Sequence, residues 1–533
     1  MVSVLFLKRA NYVKIVSNMG KSRTKNTARN IGAGLVYQVV SIILPFINRT
    51  AVLWTLGAEF TGLAGLFTSI LHVLNIAELG FNSAVVYSLY KPIAEKNEKK
   101  ISEIVSFLRR IYNIVGMFIL VVGLLLVPFI PNLIKGSYPD SINIYLLYLL
   151  YLANSVLSYF LFAYKECLLI ANQRKDIADN IRTIVNILRY IVQLIVLILF
   201  KNFYLYVCVS IIGTILTNIL IHYNVSKNYS YLQVIKSKSP IPASLKKRVR
   251  GLMICRIGDI CRNSFDSLII SSFLGLTMLT IYGNYYFIYS ALTGVMLVVA
   301  NSMGASVGNS IVEKTKKENY GHLLTFSQLF AIILCVITTC LFILYQPFMK
   351  IWVGDELVLP FFDMTLFCIY FYLVNINDVR NQFINGNGMW DELKKSYIFE
   401  AFANLILNVV LGKYLGITGV IIATIITIFI FNYIQRNNVL FKTYFKGESI
   451  TTFYKEQLYY LFLTILSCTI SFFICNCIDA GGVVGFIVYG IIGVTVSTLV
   501  MLVGISPMAR SNESLKMWKR IVKIILKRKE KVN

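Results

Sequence analysis

The stretch LGAEFTGLAGLFTSILHVLNIAELGFNSAVVYSLYKPIAE, residues 56–95, decides the fold class of this chain. Its centre, residues 61–90, is mostly apolar and exceeds the roughly 20 residues that a helix needs to cross a hydrocarbon core about 30 Å thick. Glu78 is its deep carboxylate, and Lys91 and Lys96 follow the apolar part. The pattern predicts a membrane-spanning helix whose basic end stays in water.

The rest of the chain has the same character. Of its 533 residues 57% are hydrophobic and 14% are charged, and the mean hydropathy is +0.69. We therefore predict an all-α integral membrane protein with about 14 transmembrane helices. The predicted spans are residues 31–55, 61–90, 108–131, 142–164, 178–200, 203–224, 251–275, 278–308, 323–346, 359–385, 395–415, 418–442, 456–478 and 482–505.

The formal charge of +26 follows the loops. Alternate loops hold nearly all of the lysines and arginines, including the segment before the first span, residues 227–250, residues 436–455 and the tail after residue 505. By the positive-inside rule both termini are cytoplasmic, which requires an even number of spans. The basic charge thus encodes topology and attraction to anionic membrane lipid, and we expect no nucleic-acid partner.

An internal repeat organises the spans. A shift of 218 residues superposes Gly57 on Gly275, Gly65 on Gly283, Ser88 on Ser306, Glu95 on Glu313, Lys96 on Lys314 and Lys99 on Lys317. Spans one and two then overlie spans seven and eight, and the six spans between equivalent positions give the two halves one orientation. This predicts two six-helix lobes related by a parallel repeat, with substrate bound between them.

The predicted organisation has six segments. They are a basic cytoplasmic N-terminal segment (1–30), an N-lobe of spans one to six (31–224), a cytoplasmic linker (225–250), a C-lobe of spans seven to twelve (251–442), two extra C-terminal helices (443–505) and a basic cytoplasmic tail (506–533).

Polar stripes inside the spans mark candidate cavity residues. In span seven Arg256, Asp259, Arg262 and Asp266 fall on one helix face, which predicts either a cavity lining or a set of mutually neutralising pairs. Each such charge in mid-bilayer costs roughly 2.5–3.5 kcal/mol, so this face must meet water, protein or substrate.

Spans five and one also contain arginines within their apolar segments. Span five has a polar face on which Arg189 lies near mid-membrane; its members are Asp179, Arg182, Asn186, Arg189 and Gln193. In span one Arg49 lies near the outer end, where snorkelling to the surface is the alternative to substrate contact. We assign substrate binding to Arg49, Arg189, Arg256 and Arg262, because guanidinium binds phosphate with paired hydrogen bonds and stays charged when desolvated. Glu78, Asp259 and Asp266 either hold a coupling ion or balance these charges.

Other polar residues receive ordinary interpretations. Asp378 and Arg380 read as a solvated helix end, and Arg436 as the first cation of a cytoplasmic loop. Four tyrosines lie at the start of span eight: Tyr282, Tyr285, Tyr286 and Tyr289. They are typical of an interfacial aromatic belt, and sugar stacking is the alternative. No catalytic site, metal site or cofactor is predicted, and coupling to H+ or Na+ stays open.

A family resemblance rests on the first 115 residues or so. The segment SRTKNTARN, residues 22–30, and residues 56–95 resemble the polysaccharide repeat-unit flippases, or Wzx-type proteins, of bacterial O-antigen and capsule export. The 14-span layout and twofold repeat resemble the wider multidrug, oligosaccharidyl-lipid and polysaccharide exporter superfamily.

The resemblance implies a function. It implies a flippase that moves undecaprenyl-pyrophosphate-linked oligosaccharide across the bacterial cytoplasmic membrane by alternating access, with no enzyme activity. Its partners would be the lipid-linked oligosaccharide, membrane lipid, a polysaccharide polymerase and other export machinery. The alternatives are a multidrug/cation antiporter and a membrane glycan polymerase or ligase. The short outer loops disfavour the enzymes, which usually place carboxylates on substantial outer loops.

Overall fold

The structure, a computed structural model, describes residues 29–30, 32–34, 36–75, 81–136, 138–232, 243–478 and 482–505. Within these ranges the regular secondary structure is helical. The α-helices are α1 (Gly32–Leu56), α2 (Ala58–Leu74), α3 (Phe81–Ala94), α4 (Glu98–Leu126), α5 (Ile144–Phe160), α6 (Glu166–Ala171), α7 (Lys175–Phe200), α8 (Phe203–Asn228), α9 (Ala243–Leu274), α10 (Leu276–Glu313), α11 (Lys316–Val353), α12 (Phe361–Asn375), α13 (Asp378–Asn387), α14 (Trp390–Thr427), α15 (Arg436–Thr443), α16 (Ile450–Asn476) and α17 (Gly482–Ile505).

Each of the 14 predicted spans corresponds to one of these helices or to part of them, so the predicted fold class is confirmed. Among the described residues ten helices are long and apolar enough to cross a membrane. The remaining predicted spans do not each form one separate helix of that length and apolarity, for the following reasons. Span two consists of α2 and α3, and span ten of α12 and α13. Span seven, α9, carries the charges of its polar face, and spans eleven and twelve form one long element that reverses at Gly416.

Local signals explain where the helices begin and turn. Asn97, Asn143 and Asn202 accept hydrogen bonds at the first turns of α4, α5 and α8, and a capping box of Thr315 and Glu318 begins α11. Gly416 has a φ of 61° and a ψ of −137°, which breaks α14 into two legs.

The structure supports the predicted repeat at its first turns. Gly57 joins α1 to α2 with a φ of 104°, and the superposed Gly275 joins α9 to α10 with a φ of 90°. The shift of 218 residues also pairs Ala58 with Leu276 and Gly62 with Thr280. The Thr280 hydroxyl donates a hydrogen bond of 2.5 Å to the carbonyl oxygen of Ala58.

The equivalent contact joins position 62 of α2 to the first turn of α10. A Cβ at Gly62 would lie 2.4 Å from the carbonyl oxygen of Leu276. Each of the superposed positions 62 and 280 therefore abuts the first turn of the other helix, α10 or α2. The two contacts thus exchange their residues under the shift of 218, as the predicted repeat requires.

The chain divides into two compact units, residues 1–280 and 281–533. In the first unit α7 and α8 form a hairpin, α5 packs on α4 and α8, and α9 packs on α2. In the second unit α16 and α17 pack on each other and on α11. The division into lobes at residues 225–250 stays a prediction. There α8 ends at Asn228 and α9 begins at Ala243.

Three of the four tyrosines of α10 belong to the interior of the second unit, so the interpretation of this group as an interfacial belt is wrong. Tyr282, Tyr285 and Tyr289 are at most 4% exposed. Tyr285 donates a hydrogen bond to Gln346 and accepts one from the backbone of Leu359. A run of tyrosines has the same local pattern at an interface and in a core, and only the neighbouring helices decide between them.

Candidate functional site

The polar face predicted on α7 is real, and most of its members have partners within the first unit. Asp179 lies 3.7 Å from Lys175, and Arg182 forms an ion pair with Glu166. The side chain of Gln193 donates hydrogen bonds to the carbonyl oxygen of Tyr206 and to Ser210. The Gln193 contacts join α7 to α8, and the ion pair of Arg182 joins α7 to α6.

Arg189 differs from the rest of this face. It lies 11 residues before the end of α7, or about 16 Å along the helix axis, which is close to the middle of a bilayer core. Among the described residues it has no carboxylate within ion-pair distance, and its Nε has no hydrogen-bond partner. Its guanidinium lies 4.4 Å from the ring centre of Tyr190.

Gly213 of α8 makes room for this arginine. A Cβ at Gly213 would lie 2.8 Å from Cδ and 3.2 Å from Cγ of Arg189. The absence of a side chain at position 213 thus lets the stem of Arg189 lie directly against the backbone of α8.

Arg49 comes to the same place from α1. Arg49 and Arg189 both interact electrostatically with the hydroxyl group of Tyr206. One residue before Arg49, the buried side chain of Asn48 donates a hydrogen bond to the carbonyl oxygen of Tyr190, which ties α1 to α7 at this level. Arg49 also donates to the carbonyl oxygen of Thr280 at 3.4 Å. The structure therefore brings two of the four predicted arginines together.

Further aromatic side chains neighbour Tyr206. Tyr206 stacks on Phe203 with ring centres 5.5 Å apart, and Tyr151 interacts electrostatically with Tyr206. We call Arg49, Arg189, Tyr151, Tyr190 and Tyr206 the arginine–tyrosine cluster. It combines two cations with three phenol groups, which can bind an anion and donate hydrogen bonds to a polar group beside it.

The predicted residues of span seven have a different environment. Arg262 is 7% exposed, and its guanidinium lies 3.7 Å from the carboxylate of Asp259 on the same helix. Asp266 is 1% exposed. Two predicted residues lie outside the description: Glu78 is not among the described residues, and the side chain of Arg256 is not described. Their roles stay predictions.

The second unit contains buried charges that the local sequence pattern does not reveal. Arg380 is 1% exposed, so its interpretation as a solvated helix end is wrong. Its guanidinium donates to the Oδ1 atoms of Asn381 and Asn432 at 2.8 and 2.7 Å, and to the carbonyl oxygen of Asn432 at 2.5 Å. Asn432 belongs to a π-helix, Ile428–Gln435, and such helices are frequent at functional sites.

Arg436 is buried beside this group, so it is not a loop cation. It is 2% exposed, forms an ion pair with Glu400 of α14, and lies 3.4 Å from the ring centre of Tyr397. The one available signal was Glu400 itself, because a carboxylate inside an apolar span requires a cation on a neighbouring helix. The paired charges and neutral acceptors of this group suit a structural role.

Comparison with known proteins agrees with this architecture. Residues 27–307 match the family described as "Polysaccharide biosynthesis protein". The structure is similar to that of the lipid II flippase MurJ in an inward closed conformation, with a TM-score of 0.64 and 17% identity, over 89% of this chain and all of that chain.

Multidrug transporters have a similar structure. An inward-facing multidrug resistance MATE family transporter of the MOP superfamily matches with a TM-score of 0.57 and 13% identity, over 77% of this chain and 99% of that one. A variant of the Vibrio cholerae MATE transporter VcmN matches with a TM-score of 0.53 and 14% identity, over 80% and 98%. At these identities the likeness shows a shared fold. No curated protein sequence matches the chain.

Proposed function

The chain belongs to the family of polysaccharide biosynthesis proteins, and on that premise we propose that it is a flippase for lipid-linked oligosaccharide. It moves undecaprenyl-pyrophosphate-linked repeat units from the inner to the outer leaflet of the bacterial cytoplasmic membrane, for O-antigen, capsule or exopolysaccharide synthesis. The reaction makes no covalent change, so the protein is not an enzyme.

Arg189 is the observation that carries this proposal. An arginine in mid-bilayer costs at least about 2.5 kcal/mol, and the usual compensation is a carboxylate. Arg189 has none within ion-pair distance among the described residues and faces tyrosines instead. A charge kept at such a cost, with no carboxylate partner among the residues that the structure describes, supports an anionic guest. The diphosphate of a lipid-linked sugar is such a guest, since guanidinium binds it with paired hydrogen bonds.

The arginine–tyrosine cluster suits the rest of the headgroup. Arg49 and Arg189 would each bind one phosphate, while the hydroxyls of Tyr151 and Tyr206 donate hydrogen bonds to the neighbouring sugar. Replacing the water around a diphosphate with fixed cations lowers the free energy of the charged headgroup inside the membrane. That barrier is the reason why a lipid-linked diphosphate does not cross the bilayer unaided.

Span seven completes the proposed translocation path. Arg256 and Arg262 would bind the headgroup after it leaves the cluster, by alternating access. Asp259, whose carboxylate accompanies Arg262, would balance charge. Glu78 and Asp266 are the candidate carriers of a coupling H+ or Na+.

The proposed orientation follows the basic loops. Both termini would be cytoplasmic, with membrane lipid around the spans and a polysaccharide polymerase or other export machinery receiving the product on the outside.

A drug/cation antiporter is the second candidate, because the MATE transporters share the fold. Binding a cationic drug requires carboxylates without cation partners. In the arginine–tyrosine cluster the charged groups are cations, which favours the flippase.

Gene deletion with complementation tests the proposal. We expect deletion to abolish surface polysaccharide and to accumulate lipid-linked oligosaccharide. Wild type and Arg110→Gln, which removes an exposed cation of α4, should restore export. Arg189→Gln and the double variant Arg256→Ala with Arg262→Ala should not.

Two results would count against the proposal. Unchanged glycan together with greater sensitivity to cationic drugs would favour the antiporter. Full rescue by Arg189→Gln would leave the flippase and remove the site assigned to it.

A further inference from the structure

The chain between α5 and α7 forms a buried break in the helices of the first unit. The α-helix ends at Phe160, and Leu161 is extended with a ψ of 179°. A 3-10 turn, Phe162–Lys165, and the short helix α6 follow and pack against α3, α4 and α8. Two adjacent charged residues of this break, Lys165 and Glu166, are each 8% exposed. Buried ionisable groups at the end of a membrane span require a specific partner.

The two charges have different partners. Glu166 forms an ion pair with Arg182 of α7. Lys165 has no carboxylate within ion-pair distance in the described part of the chain, and its ammonium group donates to the hydroxyl of Ser226 at 3.2 Å. Ser226 is exposed at the end of α8, so the stem of Lys165 is buried while its charged end reaches the surface.

Two more nitrogen-bearing side chains converge on this turn. Arg109 of α4 lies 6.0 Å from the ring centre of Tyr164 and interacts electrostatically with Lys165. His222 of α8 stacks on Phe162 at 3.8 Å and also interacts electrostatically with Lys165. The Nδ1 of His222 is buried without a hydrogen-bond partner.

The arrangement leaves positive charge uncompensated. The described residues contain no salt bridge to Lys165 or Arg109. The C-terminal carbonyls of α8 attract the ammonium of Lys165. That attraction does not explain why Arg109 is held beside it, because two like charges in partly buried surroundings repel each other. An anion between them would turn this repulsion into attraction.

We propose that Arg109, Lys165 and His222 form a binding site for the phosphate group of a membrane lipid. Arg109 and Lys165 supply charge-assisted hydrogen bonds, and the ring nitrogen of His222 supplies a neutral donor. Basic pockets between transmembrane helices on the cytoplasmic side have this chemistry. The site is separate from the arginine–tyrosine cluster. It takes either an anionic phospholipid or a polyprenyl phosphate, and the second source rests on the proposed function.

Lipid binding to the full chain in detergent, followed by native mass spectrometry, tests the site. The probes are phosphatidylglycerol, undecaprenyl phosphate and zwitterionic phosphatidylcholine. We expect Lys165→Gln to weaken binding of the preferred phosphate lipid about tenfold, the loss of one charge-assisted hydrogen bond. Lys227→Gln is the matched control, because Lys227 is exposed next to Ser226 and should leave binding unchanged. Preference for phosphatidylglycerol identifies a phospholipid site, and preference for undecaprenyl phosphate identifies a substrate site.

Arg109→Gln keeps the test decisive if Lys165→Gln does not fold, because Arg109 is only half-buried. It should weaken the same lipid by a similar factor. Binding equal to wild type in both variants would overturn the proposal, as would an equal loss in Lys227→Gln, which would indicate general attraction to a basic surface. Polysaccharide export in the complemented deletion strain tests the flippase proposal, and phosphatidylglycerol binding tests this site, so failure of one and failure of the other give different results.

Discussion

Gly62→Ala should separate the first turns of α2 and α10. An added Cβ would lie 2.4 Å from the carbonyl oxygen of Leu276, whereas carbon–oxygen contacts between helices are about 3.3 Å or longer. The helices must therefore move apart by about 1 Å, since the nearest atom belongs to the backbone and cannot rotate away. The same movement stretches the hydrogen bond from Thr280 to Ala58, now 2.5 Å long.

The net effect can be worked out from these contacts. Overpacking of this kind costs about 1–3 kcal/mol, and the lost interhelical hydrogen bond costs about 0.6 kcal/mol more. Alanine returns up to about 1 kcal/mol through its higher helix propensity. With the full gain from alanine, we expect the free energy of unfolding to fall by about 0.6–2.6 kcal/mol.

Gly65→Ala provides the control on the same helix. Its Cβ would lie 4.0 Å from the side chain of Leu279, an ordinary contact, so this variant should be as stable as wild type or slightly more stable. Reversible unfolding of both variants in detergent micelles measures the difference. Equal stabilities for Gly62→Ala and Gly65→Ala would refute the reciprocal contact and the repeat register that explains it.

Two further variants test the packing around the buried arginines. Glu400→Leu should lower the free energy of unfolding by about 3–5 kcal/mol, because it leaves Arg436 buried without its partner. Adding Arg436→Met should recover most of that loss. A double variant no more stable than Glu400→Leu would argue against the pair. Gly213→Ala should displace the stem of Arg189 and reduce polysaccharide export at unchanged protein level, and wild-type export would show that this arginine need not lie against α8.

Much of the fold could be predicted from the sequence because the bilayer demands long apolar helices. Gly57 and Gly275 even revealed the equivalent turns of the two halves. The break within span ten, between α12 and α13, was missed, because mean apolarity is insensitive to a helix that ends and restarts within the membrane.

The candidate site was only partly predictable. The helical spacing of the polar residues in α7 identified Arg189, because it places this arginine on the one polar face of an otherwise apolar helix. Nothing local to Arg49 indicates that Tyr206, more than 150 residues later, would join it to Arg189. Arg436 was missed for a related reason, because its partner Glu400 lies on another leg of the chain. Helical periodicity identifies the face of a residue, and only tertiary packing supplies its partners.

The central claim is that Arg189 is kept for an anionic guest and not for stability. Translocation of a lipid-linked oligosaccharide by the purified protein in vesicles, measured together with unfolding stability, tests this directly. Arg189→Gln removes a mid-membrane charge that has no carboxylate partner in the described part of the chain. The variant should therefore be at least as stable as wild type but translocate about tenfold more slowly or worse. Arg110→Gln should match wild type in both measurements. Translocation at the wild-type rate by a stable Arg189→Gln protein would contradict the claim.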